Sequence, residues 1–305
     1  LTFEEVSGFV TKEWEIKLNN GNLRQKTFDG YISRVNVLDR IFGKRLLCEI
    51  SRDDLISYRN RITTEVSCVT ANRNLFVIKQ IFKHGLEIKA VIKNPVEAIN
   101  YLSEKSHERN NFILPAMIIQ LVEASLRTRA KHYMPALIYL GAEHGASRQE
   151  ALSLKWKDIN FDYDERGYIH FFRTKNNMER TEYLMPRTKQ ALLKWSDHQR
   201  WMRRRKKIDY GNSDFVFCRL DGTPIKRFDT AWKEVCRISK INDFHFHDLR
   251  HTFCSNLLLS GSNLKDVKEM IGHSDLSMTD RYSHLTLKHK LLQQEKLAAH
   301  YAQGT

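Results

Sequence analysis

The residues best suited to chemistry lie in the last third of the chain. Residues 244–253 read Phe-His-Phe-His-Asp-Leu-Arg-His-Thr-Phe, and Gly272-His273 and then Tyr282 follow. On a helix that begins near residue 248, His247 and Arg250 lie about one turn apart and point the same way. A guanidinium binds phosphate oxygens bidentately, and a helix N-terminus favours anions. This segment therefore predicts a phosphate-binding site.

Tyr282 is the candidate nucleophile. A tyrosine hydroxyl attacks poorly at its ordinary pKa, but it becomes competent when a phosphodiester is held beside it and the developing charge is stabilised. An isolated tyrosine is more often a core or surface aromatic residue, so this assignment depends on its position after Gly272-His273. His245, His247 and His251 predict no metal site, because no carboxylate or thiolate partner lies at ligand spacing.

In order and spacing, these motifs resemble the catalytic domain of the tyrosine recombinases, the phage-integrase family. The family pattern is His-x-x-Arg, then Gly-His, then the nucleophilic Tyr nine residues on. The resemblance covers most of the chain and implies that His247, Arg250 and His273 bind and activate a scissile phosphate, which Tyr282 attacks. It further implies a 3′-phosphotyrosyl intermediate, and Lys175 as the residue that protonates the leaving 5′ oxygen. Neither a metal nor another cofactor is expected.

One departure from the family pattern concerns its first arginine, in Gly-x-Arg-x-x-Glu. Residues 145–150 here read Gly-Ala-Ser-Arg-Gln-Glu, so Ser147 takes the arginine position and Arg148 comes one place later. Adjacent helical residues point about 100° apart, so Arg148 is no automatic substitute. Either a local shift brings Arg148 to the phosphate, or Ser147 is tolerated with slower chemistry, or the site is inactive. We favour Arg148, because the rest of the motif set is intact.

The elements that must position these residues change character along the chain. Residues 1–102 read as helices: Thr2 and Ser51 open two of them, and a third has an apolar face that Gly85 is expected to end. Residues 103–111 are polar without periodicity and predict a linker. Beyond it, Pro115 and Pro135 fit first helical turns.

The second part is predicted to mix helices with a hairpin. Its two strands cover about 168–174 and 180–185, with Lys175 at the turn, and a short strand is expected at 215–217. Helices are expected at 188–202, 229–239, 248–259, 264–271 and 288–301. The predicted fold is mainly α with a small antiparallel β-sheet. It has two domains, an α-helical core-binding domain (1–102) and a mixed α+β catalytic domain (112–305) with a C-terminal helix.

Composition limits the class of protein. Among 305 residues, 50 Lys and Arg against 36 Asp and Glu give a net charge of +14, which favours a polyanionic partner. A hydrophobic share of 41% excludes an intrinsically disordered chain. The longest apolar stretches fall short of a membrane span, and residues 1–5 do not resemble a secretory signal. The chain starts without Met, so we expect a fragment. Five scattered Cys without a C-x-x-C pair fit a reducing cytoplasm.

Function and partners follow from the resemblance. We expect a site-specific recombinase of a phage or other mobile element that acts on double-stranded DNA attachment sites. It would work as a tetramer on two sites, be monomeric when free, and use accessory DNA-bending or directionality proteins in the bacterial cytoplasm. Two alternatives stay open: a catalytically impaired DNA-binding regulator, and a type IB topoisomerase-like nicking and closing enzyme. Lys189 and Lys194 rival Lys175 on charge alone, and the basic run at 203–207 is equally a DNA contact or a solvated surface.

Overall fold

Helices dominate the two compact units into which the chain divides, Leu1–Glu108 and Arg109–Thr305. The computed structural model describes residues 1–104, 111–173, 178–206, 214–219 and 221–272, and beyond them residues 291, 294, 295, 297, 298, 301 and 302. The described strands form one antiparallel sheet. The predicted mainly α class with a small antiparallel sheet is confirmed. The roles assigned to 1–102, 103–111 and 112–305 stay predictions.

In the described part of the first unit, four α-helices surround one apolar core. They are α1 (Phe3–Asn19), α2 (Gln25–Phe42), α3 (Arg52–Glu65) and α4 (Cys68–Glu87). The two predicted helix starts are confirmed, since Thr2 and Ser51 both form capping boxes. At the first, the Glu5 N–H donates to Thr2 Oγ1 and the Thr2 N–H donates to the Glu5 carboxylate. Two backbone N–H groups that a helix start leaves unpaired are thereby satisfied.

The expected helix stop at Gly85 is wrong. The helix α4 continues through Gly85 to Glu87, and Ile88 is its C-terminal cap. A Cβ at position 85 would collide with the Leu47 side chain, which packs directly on this turn. Gly85 therefore serves a close packing contact with a segment distant in sequence, and not the left-handed conformation of a helix end.

The second unit surrounds its sheet with helices. These are α5 (Pro115–Ser125), α6 (Met134–His144), α7 (Arg148–Ser153), α8 (Pro186–Lys206), α9 (Asp229–Ser239), α10 (Asp248–Leu259) and α11 (Leu264–Ile271). The sheet has the order β1 (Ile159–Asn160), β2 (Tyr168–Arg173) and β3 (Met178–Tyr183). The predicted hairpin is confirmed, although β3 begins two residues earlier than expected. Residues 174–177, including Lys175, lie outside the described residues.

Helix α6 runs through the core of this unit and sets the position of α10. Its apolar residues are buried among the strands and helices of the main cluster. At Gly141 the two helices come so close that a Cβ there would lie 2.8 Å from the Cβ of Leu249. Because Leu249 precedes Arg250, this contact fixes the backbone from which the Arg250 side chain extends.

Other predicted elements have mixed outcomes. Prolines lie in the first turns of α5 and α6, and α9, α10 and α11 begin and end where expected. Helix α8 is longer than predicted. Residues 215–217 form no strand of their own: Phe215 makes an isolated bridge with Lys155, and a second isolated bridge, Cys218↔Pro224, comes directly after them. The expected C-terminal helix falls largely outside the described residues, and Leu291 and Leu297 are exposed. Within the described part of the chain, no helix is long and apolar enough to cross a membrane.

A stack of aromatic rings lies on α8. The rings of His132 and His198 are parallel, with centroids 3.5 Å apart, and Trp195 and Trp201 stack on His198 at 5.8 Å each. Burial, followed by nearby positive charge that includes Lys131, lowers the pKa of both histidines. Each of these two imidazoles is therefore harder to protonate than a free one.

Candidate active site

The helix α10 carries two of the predicted site residues at its N-terminal end. His247 is the N-terminal cap residue, and Arg250 lies in the first turn. Asp248 is buried and accepts a hydrogen bond from the His245 N–H at 2.8 Å, which fixes the turn before the helix. The ring of His247 is exposed and nearly perpendicular to that of His251, at 5.4 Å. The predicted helix start beside both candidate phosphate ligands is confirmed.

Arg250 is 4% exposed and joins its own helix to two other segments of the second unit. Its Nη1 donates to the Gly145 carbonyl at 2.7 Å and to Glu150 Oε2 at 3.0 Å. Its Nη2 donates to the carbonyl of Ile271. These are the segments that carry the family's first-arginine motif and its Gly-His motif. Sequence reasoning placed them in one site, and the structure brings their backbones to one guanidinium.

Gly145 and Gly272 both have positive φ. Gly145 ends α6 at φ 58°, and Gly272 ends α11 at φ 61°. Residues other than glycine adopt this left-handed region at a cost, so both turns favour glycine. The helix predicted over 264–271 ends at Ile271, as expected. His273 and Tyr282 come after it and lie outside the described residues, so their roles stay predictions.

Ser147, at the position where the family pattern has arginine, caps a helix. It is the N-cap of α7: its Oγ accepts from the Glu150 N–H at 3.2 Å, and its own N–H donates to Glu150 Oε2 at 2.7 Å. Serine is among the preferred residues for such a cap. The Ser147 hydroxyl thus holds the start of α7 and brings no charge to the site.

Arg148 is paired with a different carboxylate from the one that binds Arg250. Its Nη1 and Nη2 donate to the two carboxylate oxygens of Asp229 at 2.6 and 3.1 Å, and its Cζ lies 4.8 Å from the centre of the Phe228 ring. Hydrogen bonds from Arg148 lower the pKa of Asp229 to about 2. Arg148 and His247 line one cavity of about 480 Å³. A contact between Arg148 and phosphate stays a prediction.

Arg180, on β3, is a residue that sequence reasoning missed. Its Nη1 donates to the His144 carbonyl at 2.9 Å and to the Met270 carbonyl at 2.6 Å, and it also binds Glu182. Arg180 and Glu182 lie on one face of β3, and the side chains of both are at least 90% buried. Two charged residues two positions apart on the buried face of a strand were the available signal.

Glu150 lies between two guanidinium groups. Its Oε2 accepts from Arg250, and its Oε1 lies 4.0 Å from Arg180 Nε. Burial alone would raise the pKa of Glu150, but the charges of Arg250 and Arg180 and hydrogen bonds from Ser147 outweigh it and hold that pKa below its ordinary value. Glu150 is therefore an ionised carboxylate at neutral pH.

Comparison with known proteins yields one family and many relatives. The family model described as the phage integrase family matches residues 111–289. The tyrosine recombinase XerC of Pediococcus pentosaceus is 25% identical over 291 residues, which cover 92% of this chain and 93% of that protein. A tyrosine recombinase of Pseudothermotoga lettingae is 25% identical over 253 residues, covering 80% and 81%.

Solved structures share the fold. The Tn1549 transposon integrase in complex with transposon right end DNA superposes with a TM-score of 0.72 at 19% identity, covering 98% of this chain and all of that one. A lambda integrase tetramer bound to a Holliday junction gives a TM-score of 0.71 at 18% identity, covering 92% and 77%. At these identities the likeness concerns the fold alone.

Proposed function

The chain belongs to the phage integrase family and is a tyrosine-type site-specific DNA recombinase, and on this premise we propose that it integrates or excises a mobile element. The observation that carries the proposal is the buried guanidinium of Arg250. It joins the turn at Gly145, the carboxylate of Glu150 and the end of α11 at Ile271. A charged group held at the meeting point of three segments supports a preorganised phosphate site.

The proposed chemistry is a pair of phosphoryl transfers. The Tyr282 hydroxyl oxygen attacks the scissile phosphorus and gives its proton to His247, the bond from phosphorus to the 5′ oxygen breaks, and Lys175 donates a proton to that oxygen. The products are a 3′-phosphotyrosyl bond and a 5′-hydroxyl. A 5′-hydroxyl of the partner strand then attacks the same phosphorus and gives its proton to Lys175, while the released Tyr282 oxygen regains its proton from His247. Each step exchanges one phosphoester bond for another, so no external energy source is required.

The remaining roles concern charge and position. Arg250 and His247, with His273 and Arg148, hold the non-bridging oxygens and stabilise the charge that develops on them. In the described structure Asp229 binds both Nη atoms of Arg148, so a phosphate that takes these two donors must displace that carboxylate. The negative phosphate and the Asp229 carboxylate thus compete for one guanidinium.

The proposed partners are two double-stranded DNA sites held by four protomers, in the cytoplasm. The net charge of +14 supports a polyanionic partner. The fold neighbours support it too, because the Tn1549 integrase structure contains transposon end DNA and the lambda integrase structure is a tetramer bound to a Holliday junction.

Ser147 favours a second candidate, a DNA-binding regulator with the same fold and a disabled site. It takes the position of a family arginine without bringing a charge. Such a protein would bind specific DNA without forming a covalent adduct. The two candidates therefore differ in one observable product.

The test uses a duplex that spans the junction of the element encoding this chain, with a nick beside the presumed crossover. Cleavage then releases a short strand and traps the enzyme as an adduct that survives SDS. We expect an adduct with the unaltered chain and with Tyr163→Phe, a matched change at an exposed tyrosine, and none with Tyr282→Phe. Arg148→Gln is expected to slow adduct formation.

Two results would contradict the proposal. An adduct that persists in Tyr282→Phe would remove Tyr282 as nucleophile. Specific binding without any adduct, with cleavage gained by Ser147→Arg, would establish the regulator with a disabled site.

A further inference from the structure

The guanidinium of Arg180 is buried although two of its nitrogen atoms make no hydrogen bond among the described residues. Its side chain is 8% exposed, and its Nε and Nη2 have no hydrogen-bond partner among the described residues. Buried donors without a partner destabilise a fold. An apolar side chain over the Phe171 ring would avoid this cost, so the charge at this position has another use.

Arg180 ties the hairpin to the rest of the site. It pairs with Phe171 in the register of β2 and β3, and its Cζ lies 4.3 Å from the centre of the Phe171 ring. Its Nη1 then reaches the carbonyl of His144, the last residue of α6 before the Gly145 turn. The strand that leads out of the segment containing Lys175 is thereby fixed to the turn that contacts Arg250.

Arg180 and Arg250 also hold neighbouring carbonyl groups at the end of α11. Arg180 donates to Met270, and Arg250 donates to Ile271. The last carbonyls of a helix carry partial negative charge, so two guanidinium cations are stabilised at this position. The chain that continues from Gly272 to His273 starts from a point that both arginines define.

Glu150 completes the cluster. It accepts from Arg250 and lies beside Arg180, while Ser147 contributes hydrogen bonds without charge. The second positive charge next to this carboxylate therefore comes from β3 and not from the start of α7. Arg180 in turn faces Glu182 on its own strand, and His144 Nδ1 lies 2.8 Å from that carboxylate.

We propose that Arg180 is a positioning residue for strand cleavage: it sets Glu150 and the end of α11, and through them Arg250 and the backbone leading to His273. This inference rests on the proposed recombinase function. Arg180 acts through other residues and is not assigned a contact with DNA.

The test compares Arg180→Gln, which removes the charge, with Arg180→Lys, which keeps it. The measured quantities are the affinity for the nicked duplex and the single-turnover rate of adduct formation at saturating DNA, from pH 4 to 9. We expect Arg180→Gln to bind DNA within about threefold of the unaltered chain and to cleave it on the order of 10- to 100-fold more slowly, as for a misplaced catalytic group. The pH below which its cleavage rate falls, the acid limb of its pH profile, should move to higher pH, because Glu150 loses a neighbouring cation.

Two variants separate this role from simple packing. Phe171→Leu removes the ring under the guanidinium and should lower the melting temperature without moving the acid limb. Arg180→Lys should slow cleavage less than Arg180→Gln and keep the acid limb in place. Arg200→Gln removes an exposed guanidinium paired with Asp197 and should change neither the cleavage rate nor its pH dependence. An Arg180→Gln rate within threefold of the unaltered chain, or equal losses in both Arg180 variants with one common pH profile, would overturn the proposal.

A second measurement needs no DNA and separates this inference from the proposed function. Carboxyl ¹³C NMR, with the Glu150 signal identified by its loss in Glu150→Gln, follows the titration of Glu150 directly. Its midpoint should rise in Arg180→Gln and not in Arg180→Lys. An unchanged midpoint overturns the positioning role whether or not adducts form. Absence of adducts with the unaltered chain counts against the recombinase chemistry alone.

Discussion

Replacing Glu150 with Gln should lower the stability of the fold, because Glu150 is the carboxylate between two buried guanidinium groups. The substitution keeps the shape of the side chain but leaves Arg250 and Arg180 buried without the carboxylate between them. Removing one partner of a buried ion pair typically costs about 3–5 kcal/mol. Gln retains one acceptor oxygen, so we expect about 3 kcal/mol. For a unit of this size, that corresponds to a melting temperature lower by about 6–12 °C.

The lowered pKa of Glu150 determines how the stability difference between the two proteins changes with pH. The folded-state pKa of Glu150 lies below its ordinary value of 4.5, so its stabilisation is present above that value and is lost as the pH falls through the folded-state pKa. Calorimetric melting of the unaltered chain and Glu150→Gln should therefore differ most near pH 7. The gap should narrow once the pH falls below the ordinary value.

A matched variant controls for the loss of any carboxylate. Asp197 pairs with Arg200 on the surface of α8, where both side chains are at least 60% exposed. Because exposed ion pairs contribute little, Asp197→Asn should leave the melting temperature nearly unchanged. A drop of less than about 2 °C for Glu150→Gln at pH 7, or a gap that stays constant down to pH 4, would refute the electrostatic account of this cluster.

Two further changes test the turn and the aromatic stack. Gly145→Ala should destabilise the chain by about 2 kcal/mol or more in urea unfolding, because φ is 58° and the new Cβ would lie 2.7 Å from Phe253 Cδ1; a change below 0.5 kcal/mol would contradict this. For His132 and His198, whose pKa values are lowered by burial and then by Lys131, the stability present above about pH 6.5 should be lost as the pH falls below it. His198→Phe should weaken that dependence between pH 5 and 7, and an unchanged slope would argue against it.

The elements best predicted from the sequence are those whose ends are set locally. Helix α11 begins at an Asn263 capping box and ends at Gly272, and both signals lie within a few residues of the backbone they fix. Gly85 shows the limit of such signals. Because it has no side chain, Gly85 leaves room for Leu47, which is far away in sequence. The residues next to Gly85 do not show whether the glycine makes such a packing contact or ends the helix.

The partners of the site arginines were beyond sequence reasoning for the same reason. Arg148 lies 81 positions from Asp229, and Arg180 lies 90 positions from Met270. Which carboxylate or carbonyl a long side chain reaches depends on how the helices pack. The motif spacing did indicate the segments that meet at Arg250, because the family resemblance carries tertiary information that periodicity lacks.

The close contact between α6 and α10 has a consequence for how this site tolerates substitution. Arg250 extends from a backbone whose distance to α6 is set by the missing side chain of Gly141. Even one methyl group at 141 would push Leu249 away and move Arg250 with it. A residue that contributes no functional group therefore determines where the buried guanidinium lies.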